Sequence, residues 1–260
     1  VEPRLPAGAP AGSLGSTMLQ TIAVCDVDLV HVSQISDDED LRFQMGVSVY
    51  GYERDQHNGG KAYGWGAQSL HLRRGVRMRL VNVGATGAIN DKDPVFGYLM
   101  CTVCGQSRSP RSSDREWENF EKSHLERCGR AVTTFGFHAD VVADTLSLPA
   151  CADAKTAYSV LESIRIAATR VLDMHREDLQ VLVIGHVDRD EVDAVLWDPM
   201  PGGSGLLDQV CARFGEICAI AMEVVSNCPA VCETSCIDCL QTFRNGYYHK
   251  HLDRKLALEC

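Results

Sequence analysis

The chain has 260 residues and a formal net charge of −10, and 45% of its residues are hydrophobic. This apolar content excludes an intrinsically disordered chain, and the length excludes a mini-protein that needs disulfides to fold. The acidity excludes a uniformly basic coat for nucleic acid, but it is compatible with a local basic surface. The 12 cysteines indicate either disulfides in an oxidising compartment or metal-bound thiolates in a reducing one.

The N-terminal segment does not show the pattern of a signal peptide, and we expect a linker there. Residues 1–16 are rich in Pro, Gly and Ala and predict a linker, without the basic start and apolar core of a signal peptide. No run of about 18 apolar residues is present, so we expect no membrane partner. From where the sequence begins and ends, we expect a piece of a longer polypeptide.

A β-rich region is predicted for residues 17–100. Apolar and polar residues alternate from Phe43 to Tyr52, which is typical of a half-buried strand. Two further strands are predicted around Ala67–Leu72 and Val76–Val83. We expect these two to form a hairpin whose turn lies at Arg74 and Gly75, since glycine favours tight turns.

A zinc-knuckle insertion is predicted for residues 101–130. Cys101, Cys104, His124 and Cys128 follow the pattern C-x2-C-x19-H-x3-C. His124 and Cys128 are four residues apart on a helix predicted to begin at Ser113, so their side chains face the same way. These four residues could hold zinc. The alternative is a knuckle that binds nothing, with His124 as a surface residue.

The remaining residues, 131–260, are predicted to combine core helices with strands. Asp153 is the predicted N-cap of a long helix whose apolar residues recur at helical spacing. A Gly-rich turn at residues 201–205 is followed by a second predicted helix. We interpret the turn as a tight connection, although a helix N-terminus could also bind an anion. The predicted elements are strands at 132–148, 179–184 and 194–197, and helices at 153–175, 206–225 and from about 245 or 250 onwards.

The densest cysteine cluster follows the second of these helices. Cys228, Cys232, Cys236 and Cys239 lie within 12 residues. Closely spaced cysteine pairs can supply the four thiolates of a closed tetrahedral zinc site, which has no open position for a water molecule. The residues alone leave three interpretations open: a structural zinc, an iron–sulfur cluster, or four buried free thiols.

Together these patterns predict an α+β fold. A mostly antiparallel sheet would pack with a few core helices, and one or two structural zinc sites would stabilise the domain. Metal-bound thiolates need a reducing environment, so this interpretation favours the cytoplasm over an oxidising compartment.

Two local basic patches stand out against the net negative charge. Basic groups neutralise phosphates and aromatic rings stack on unpaired bases, so both patches are candidate nucleic-acid contacts. The alternative for the C-terminal patch is a solvated helix end with its tyrosines packed on the core. The candidate residues are Arg73, Arg74, Arg77 and Arg79 in the first patch, and Arg244, Tyr247, Lys250, Arg254 and Lys255 in the second.

No catalytic motif is recognisable in this sequence. It contains no G-x-x-x-x-G-K-[ST] phosphate loop, no strand-end acidic box and no nuclease signature. The sequence therefore assigns no enzymatic step to these residues, and any ATPase motor would lie outside them.

The C-terminal third resembles the MZB domain, a zinc-binding domain found at the C-terminus of many bacterial superfamily 2 DNA helicases. The resemblance rests on the sequence Asp-Pro-Met-Pro-Gly-Gly-Ser-Gly-Leu-Leu from Asp198, the four cysteines from Cys228 to Cys239, and Leu252 to Lys255. It is close from about Val141 to Leu258 and looser over residues 17–130. It implies a structural zinc on the four C-terminal cysteines and gives less support to the upstream knuckle.

The resemblance also implies a function. Relatives include the mitomycin-repair helicase and helicase-associated proteins of antiphage islands such as DISARM. We therefore expect a zinc-binding accessory region of an ATP-dependent DNA helicase, with DNA, motor domains in cis or in trans, and further complex subunits as partners. The alternative is a protein–protein scaffold in a multi-subunit defence or repair complex, without direct DNA binding.

Overall fold

A computed structural model describes most of the chain. The linker predicted at residues 1–16 and the predicted helix start at Ser113 lie outside the described residues. The described residues are 20–25, 47–53, 60–85, 97–107, 114–130, 132–185 and 189–259. They divide into two compact units, the first formed by residues 51–53, 60–79, 140–185 and 189–259 and the second by residues 20–25, 47–50, 80–85, 97–107, 114–130 and 132–139.

The described elements confirm the predicted α+β class. The strands are β1 Gln20–Ala23, β2 Val47–Glu53, β3 Lys61–Trp65, β4 Gln68–Ala85, β5 Tyr98–Met100, β6 Thr133–Ser147, β7 Gln180–Ile184 and β8 Asp193–Asp198. The α-helices are α1 Asp114–Cys128, α2 Ala154–Leu172, α3 Leu206–Ala212, α4 Phe214–Ser226 and α5 Arg254–Glu259, with 3-10 helices at Arg176–Asp178 and Phe243–His251. Within the described residues, no helix is both long and apolar enough to cross a membrane.

The first unit contains an antiparallel sheet in which β4, β6, β8 and β7 are neighbours in that order, with β3 also paired to β4. Lys61 pairs with Leu72 across β3 and β4, and Asp144 pairs with Asp198 across β6 and β8. Because side chains alternate along a strand, one face of β4 places Leu70 and Leu72 in the core.

The hairpin predicted at Arg74 and Gly75 is wrong. Gln68–Ala85 is one continuous strand, and the turn that begins it lies at Gly66 (φ 59°), next to the Trp65–Gln68 pair. Gly75 does have a positive φ of 60°, but its N–H donates to Asp144 Oδ1 at 2.9 Å on the neighbouring strand. The glycine therefore distorts the strand locally without reversing it.

Helix α2 is the centre of the core of the first unit. Asp153 is its N-cap, as predicted, and Asp153 Oδ1 accepts a hydrogen bond of 2.7 Å from the Thr156 N–H. Leu161, Ile164 and Ala167 are buried on the helix, which packs against α4, α5, β7 and β8. The apolar periodicity that predicted this helix thus identifies its buried face.

The helix predicted from Leu206 to about Val225 is two helices. Arg213 (φ −113°, ψ 22°) ends α3 and begins α4. Its guanidinium donates to the Val171 carbonyl at 2.5 Å, near the C-terminal end of α2, and forms an ion pair with Glu216. Val210 before the break and Phe214 after it are both buried.

The second unit holds the upstream cysteines. Strand β1 runs parallel to β6, with Gln20 opposite Phe135, whereas β5 is antiparallel to β6, with Tyr98 opposite the same residue. Tyr98 donates from its hydroxyl to Asn82 Oδ1 at 2.9 Å, and its ring lies 5.2 Å from that of Phe137. The β5 strand therefore has fixed side-chain contacts where it enters the first cysteine pair.

The Gly-rich turn before α3 is organised by one buried carboxylate. Asp198 is 1% exposed, and it accepts hydrogen bonds from the Met200 N–H (2.9 Å) and the Ser204 hydroxyl (2.6 Å). The Ser204 N–H donates to the same side chain. These bonds occupy groups that an anion at this turn would need, which supports the structural interpretation of the glycines.

We predict that Gly203→Ala destabilises the protein more than Gly202→Ala. Both glycines have φ near 80°, but a Cβ at Gly203 would overlap the Asp144 carboxylate, whereas a Cβ at Gly202 meets nothing within 4 Å. We expect losses of about 2–4 kcal/mol and about 1–2 kcal/mol respectively, from left-handed strain with and without overpacking. Urea unfolding of both variants measures the difference, and equal losses would contradict the close approach to Asp144.

A buried ionic cluster joins α2 to the C-terminal segment. The Glu162 side chain is 0% exposed and forms ion pairs with Arg165 Nη2 (2.6 Å) and Arg176 Nη2 (2.5 Å). Tyr248 donates its hydroxyl to the same carboxylate. Arg176 Nη2 also donates to the Leu240 carbonyl at 2.8 Å, one residue after the last clustered cysteine.

We predict that Glu162→Gln lowers the free energy of unfolding by about 3–5 kcal/mol, because it leaves two buried or half-buried guanidinium groups without their counter-charge. The matched control is Glu216→Gln on α4, where the carboxylate is 54% exposed and pairs with Arg213. There we expect a loss below about 1 kcal/mol. Chemical denaturation followed by circular dichroism measures both, and similar small losses would show that the buried cluster is not needed for stability.

Candidate metal centres

The four C-terminal cysteines meet at one point. The Sγ atom of Cys228 lies 3.6 Å from that of Cys232 and 3.5 Å from that of Cys236. The Sγ atom of Cys239 lies 3.6 Å from that of Cys232 and 3.9 Å from that of Cys236. All four sulfurs lie within 4.8 Å of one another. Cys228 and Cys239 are buried, whereas the other two are half-buried.

These separations fit a tetrahedral metal. With Zn–S bonds of about 2.3 Å, the edges of an S4 tetrahedron are about 3.8 Å long. The observed sulfur–sulfur separations of 3.5 to 3.9 Å bracket that value. They are far longer than a disulfide bond of about 2.05 Å, and the described cysteines are all free. Four soft thiolate donors are the donor set that zinc prefers in a closed site.

Arg254 holds this cysteine loop in place. Its Nε donates to the Cys232 carbonyl at 2.8 Å and its Nη1 donates to the Val225 carbonyl at 2.9 Å, near the C-terminus of α4. The Arg254 N–H also donates to the Thr234 carbonyl at 2.8 Å. The guanidinium thus satisfies carbonyls left free at a helix end, so these donors are engaged within the protein.

The upstream cluster contains three cysteines and one histidine. Cys101 Sγ lies 3.7 Å from Cys128 Sγ, and Cys104 Sγ lies 3.8 Å from His124 Nδ1. The four ligand atoms lie within 4.8 Å of one another. The knuckle turn is closed by the Gly105 N–H, which donates to the Cys101 carbonyl at 2.9 Å. The i, i+4 spacing on α1 therefore brings both helical ligands to the knuckle, as predicted.

His124 is 1% exposed, which contradicts the alternative in which it is a surface residue. Its ring stacks on Phe120 with a centroid separation of 5.6 Å, and Nδ1 lies 3.2 Å from Gln106 Oε1. Nε2 is buried and has no hydrogen-bond partner among the described residues. A buried imidazole beside three thiols is a donor set that fits zinc.

The thiols within each cluster differ in acidity. Backbone N–H groups, that of Cys104 foremost, lower the pKa of Cys101 to about 6, while burial raises the pKa of Cys128 to about 11. In the C-terminal cluster the Cys232 N–H lowers the pKa of Cys228 to about 7, and burial raises the pKa of Cys232 to about 12. Adjacent thiolates disfavour one another, so complete ionisation of either set needs a cation.

Two other cysteines behave as core residues. Burial raises the pKa of Cys211 and of Cys218 to about 11. Both pack in or against the core of the first unit. Neither belongs to a group of potential metal ligands among the described residues.

The arginines of the first basic patch lie along β4, and among the described contacts Arg74 and Arg79 pair with carboxylates. Arg74 pairs with Asp144 (2.6 Å) and Asp208 (2.5 Å), which raises the pKa of its guanidinium. Arg79 forms a two-bond contact with Asp140, at 2.6 and 2.8 Å. The other members of the patch are Arg73, which donates to Ser147 Oγ at 3.2 Å, and Arg77, which is exposed.

The second basic patch keeps three exposed cations. The Arg244 side chain is 71% exposed and its Nε lies 3.1 Å from Glu177 Oε1. Lys250 and Lys255 are also exposed. The side chain of Tyr247 is not among those that the structure describes. These three cations lie in the segment that follows the C-terminal cysteines.

The ionic cluster around Glu162 was not predicted from the sequence. Its signal is nevertheless visible there, because Glu162 and Arg165 interrupt the apolar surface of a helix that is buried almost all round. A charged pair at such positions needs buried partners, which indicates a polar network. The remaining partners, Arg176 and Tyr248, could not be assigned without the tertiary structure.

Comparison with known proteins identifies the segment around the C-terminal cluster. The family model of the MZB domain, described as the MrfA Zn-binding domain, matches residues 161–240 and so includes all four clustered cysteines. The upstream cluster lies outside the matched residues.

The chain spans less than a quarter of the length of each relative that it matches here. The Druantia protein DruE of Escherichia coli (strain UMEA 4076-1) is 31% identical over 106 residues, which is 38% of this chain and 6% of the relative. The DUF1998 helicase MrfA bound to DNA is 16% identical with a TM-score of 0.40, covering 75% of this chain and 22% of the other. MrfA without DNA is 14% identical with a TM-score of 0.40, covering 78% and 24%.

The family match, the conformity of its four cysteines to a tetrahedral site and the predicted resemblance agree. Residues 161–240 of this chain therefore match the MZB domain, whose family is described as zinc-binding.

Proposed function

We propose that this chain is a zinc-stabilised accessory region associated with an ATP-dependent DNA helicase, in DNA repair or antiphage defence. One observation carries the proposal: the MZB match includes four cysteines whose sulfurs lie at the separations expected for a zinc site, and it ends one residue after the last of them. The ATPase motor, in cis or in trans, lies outside these residues. The accessory region would place DNA or a partner protein relative to that motor.

Both cysteine clusters are proposed to hold one zinc ion each. Cys228, Cys232, Cys236 and Cys239 would hold one, and Cys101, Cys104, His124 and Cys128 the other. The ion would supply the positive charge that lets neighbouring thiols ionise together. Four protein ligands leave no position for a substrate or water, so the role is structural. Such thiolates persist in a reducing compartment, which supports a cytoplasmic location.

We predict that the purified chain contains about two zinc ions, and that Cys101→Ser/Cys104→Ser and Cys228→Ser/Cys232→Ser each lose about one, because each double change removes half of one ligand set. Elemental analysis of the dialysed protein measures this. Cys25→Ser and Cys218→Ala are matched controls at cysteines outside both clusters and should keep both ions.

Two results would contradict this assignment. A wild-type chain without zinc would remove both sites. Two ions in the Cys101→Ser/Cys104→Ser variant would place the second ion elsewhere.

DNA contact is proposed for the exposed cations of the second patch. Arg244, Lys250 and Lys255 are exposed in the segment that follows the cysteine loop, which a bound zinc would hold rigid. Arg254 serves this surface indirectly, because its donors are engaged with carbonyls of the loop and of α4. Arg74 and Arg79 on β4 are paired with carboxylates, so the first patch makes the smaller contribution.

We predict that Arg244→Ala/Lys250→Ala/Lys255→Ala lowers the affinity for a labelled oligonucleotide by about tenfold or more and reduces the slope of log K against log[salt] by about 2–3. The reason is that the three cations would no longer neutralise phosphates of the nucleic acid. Fluorescence anisotropy over a salt series measures both, with single- and double-stranded probes tested in parallel.

The control for this triple variant is Arg170→Ala, which removes an exposed cation near the end of α2. It should leave both affinity and salt slope unchanged. Oligonucleotide binding by the triple variant equal to that of the wild type would show that the surface is wrongly placed.

Partner docking is the second candidate, and an apolar surface on the cysteine loop favours it. Val231 and Ile237 are 78% and 79% exposed, unusually open for large apolar side chains. Val231 also has a positive φ of 49°, which is strained for a β-branched residue. Exposed apolar groups on a rigid loop are typical of protein contacts. Failure of the wild-type chain to bind any oligonucleotide would favour this candidate over DNA contact.

A further inference from the structure

A cavity of about 310 Å³ lies beside the ionic cluster of Glu162, on the first unit. Three arginines contribute to its wall: Arg165, Arg176 and Arg244. They differ in burial, because the Arg165 and Arg176 side chains are 6% and 18% exposed while Arg244 is 71% exposed. The cavity therefore has a cationic base and a cationic mouth. Its other lining residues are Glu177, Gln180, Thr242 and Tyr248.

The charges around this cavity do not balance. Glu162 accepts from both inner arginines, and Glu177 at the mouth pairs with Arg244. The inner pair of guanidinium groups shares the single carboxylate of Glu162, which leaves one positive charge in excess on side chains that are largely removed from water, whereas the exposed Arg244 and Glu177 offset each other. Buried charge is costly unless a counter-charge compensates it, so the cavity is electrostatically suited to an anion.

The guanidinium group of Arg176 also retains hydrogen-bonding capacity. Arg176 uses Nη2 for Glu162 and for the Leu240 carbonyl, but its Nε is buried and has no hydrogen-bond partner among the described residues. A buried donor without a hydrogen bond costs free energy, and a bound acceptor would recover it. Arg244 has its Nε near Glu177 and is otherwise open to solvent, so it can turn toward a ligand at the mouth.

We propose that this cavity binds a phosphate group. Arginine forks match the oxygens of a tetrahedral oxyanion, and charge-assisted bonds from several guanidinium groups are the usual means of holding one. The Gln180 amide and the Thr242 hydroxyl in the wall offer further neutral donors. The volume exceeds that of a single phosphate, which leaves room for the remainder of a nucleotide or for a strand that passes the mouth.

The position of the cavity ties it to the cysteine loop. Arg176 contacts the Leu240 carbonyl, directly after Cys239, and Thr242 and Arg244 follow within five residues. Zinc in the loop would therefore fix three of the groups that face the phosphate. The phosphate has two candidate sources, a free phosphate or nucleotide and the backbone of a DNA strand. The second source deepens the proposed DNA contact and depends on it, whereas the first does not.

The test is thermal unfolding of the zinc-loaded chain in inorganic phosphate from 0.1 to 20 mM, with ionic strength held constant by chloride. We expect the melting temperature to rise with saturation, since a ligand that binds only the folded state stabilises it. Arg176→Gln should abolish the rise, and Arg244→Ala should weaken the apparent phosphate affinity by about tenfold through loss of one charge-assisted contact. Arg170→Ala, an exposed cation outside the cavity, should respond like the wild type.

Arg244→Ala keeps the test decisive if Arg176→Gln does not fold, because Arg244 is exposed and its removal leaves the Glu162 cluster intact. No phosphate-dependent rise in the wild type, or an equal rise in Arg244→Ala, would overturn the proposal. In the second arm, phosphate is titrated into the chain with a saturating single-stranded oligonucleotide. Loss of the phosphate effect there identifies the DNA backbone as the source, and its persistence identifies a free phosphate or nucleotide.

This design separates the two proposals. A chain that binds phosphate in the cavity but no oligonucleotide supports the cavity and overturns the DNA contact. A chain that binds oligonucleotide with no phosphate response, and with full affinity in Arg244→Ala, overturns the cavity alone.

Discussion

The first unit depends on the contacts that the buried carboxylate of Glu162 makes with two arginines and a tyrosine. This carboxylate joins α2, at the centre of the core, to Arg176 in the following 3-10 helix and to Tyr248 near the C-terminus. Through Arg176 it also reaches the Leu240 carbonyl at the end of the cysteine loop. A charge buried this deeply must be fully partnered, so the segments that carry its partners are held in one arrangement. The candidate metal loop and the phosphate cavity both rest on that arrangement.

Both cysteine clusters bring four potential metal ligands together, but different elements supply the ligands. Each uses a knuckle turn that brings two sulfurs together and a second short segment that supplies the other two ligands. The upstream set takes its second pair from one face of α1, whereas the C-terminal set comes entirely from a loop that Arg254 anchors to α4. Since the ligands lie close in sequence, metal binding can organise each segment with little help from distant residues.

Part of the acidity of the chain is used within the fold, where carboxylates form ion pairs with arginines. Several carboxylates are placed to neutralise arginines, as Asp144 does for Arg74 and Asp140 for Arg79. The net charge of −10 is therefore not spread evenly over the surface. Cations such as Lys250 remain exposed beside the cysteine loop, and an excess positive charge lies next to the Glu162 cluster. These are the regions to which the DNA and phosphate proposals apply.

The sequence by itself determined the features that depend on neighbouring residues. The Asp153 cap, the apolar face of α2 and the C-terminal metal set follow from spacings within one helix or one loop, and the upstream set follows from one knuckle pair and one helical pair. Tertiary structure decided the features that join distant residues. Arg74 is a paired strand residue because Asp144, 70 positions away, lies beside it, and the hydroxyl of the buried Tyr248 has an acceptor because Glu162 lies beside it, 86 positions away in sequence. Local patterns show which residue types are present and which face is apolar, but only the packed chain determines which charge meets which partner, because that depends on long-range contacts.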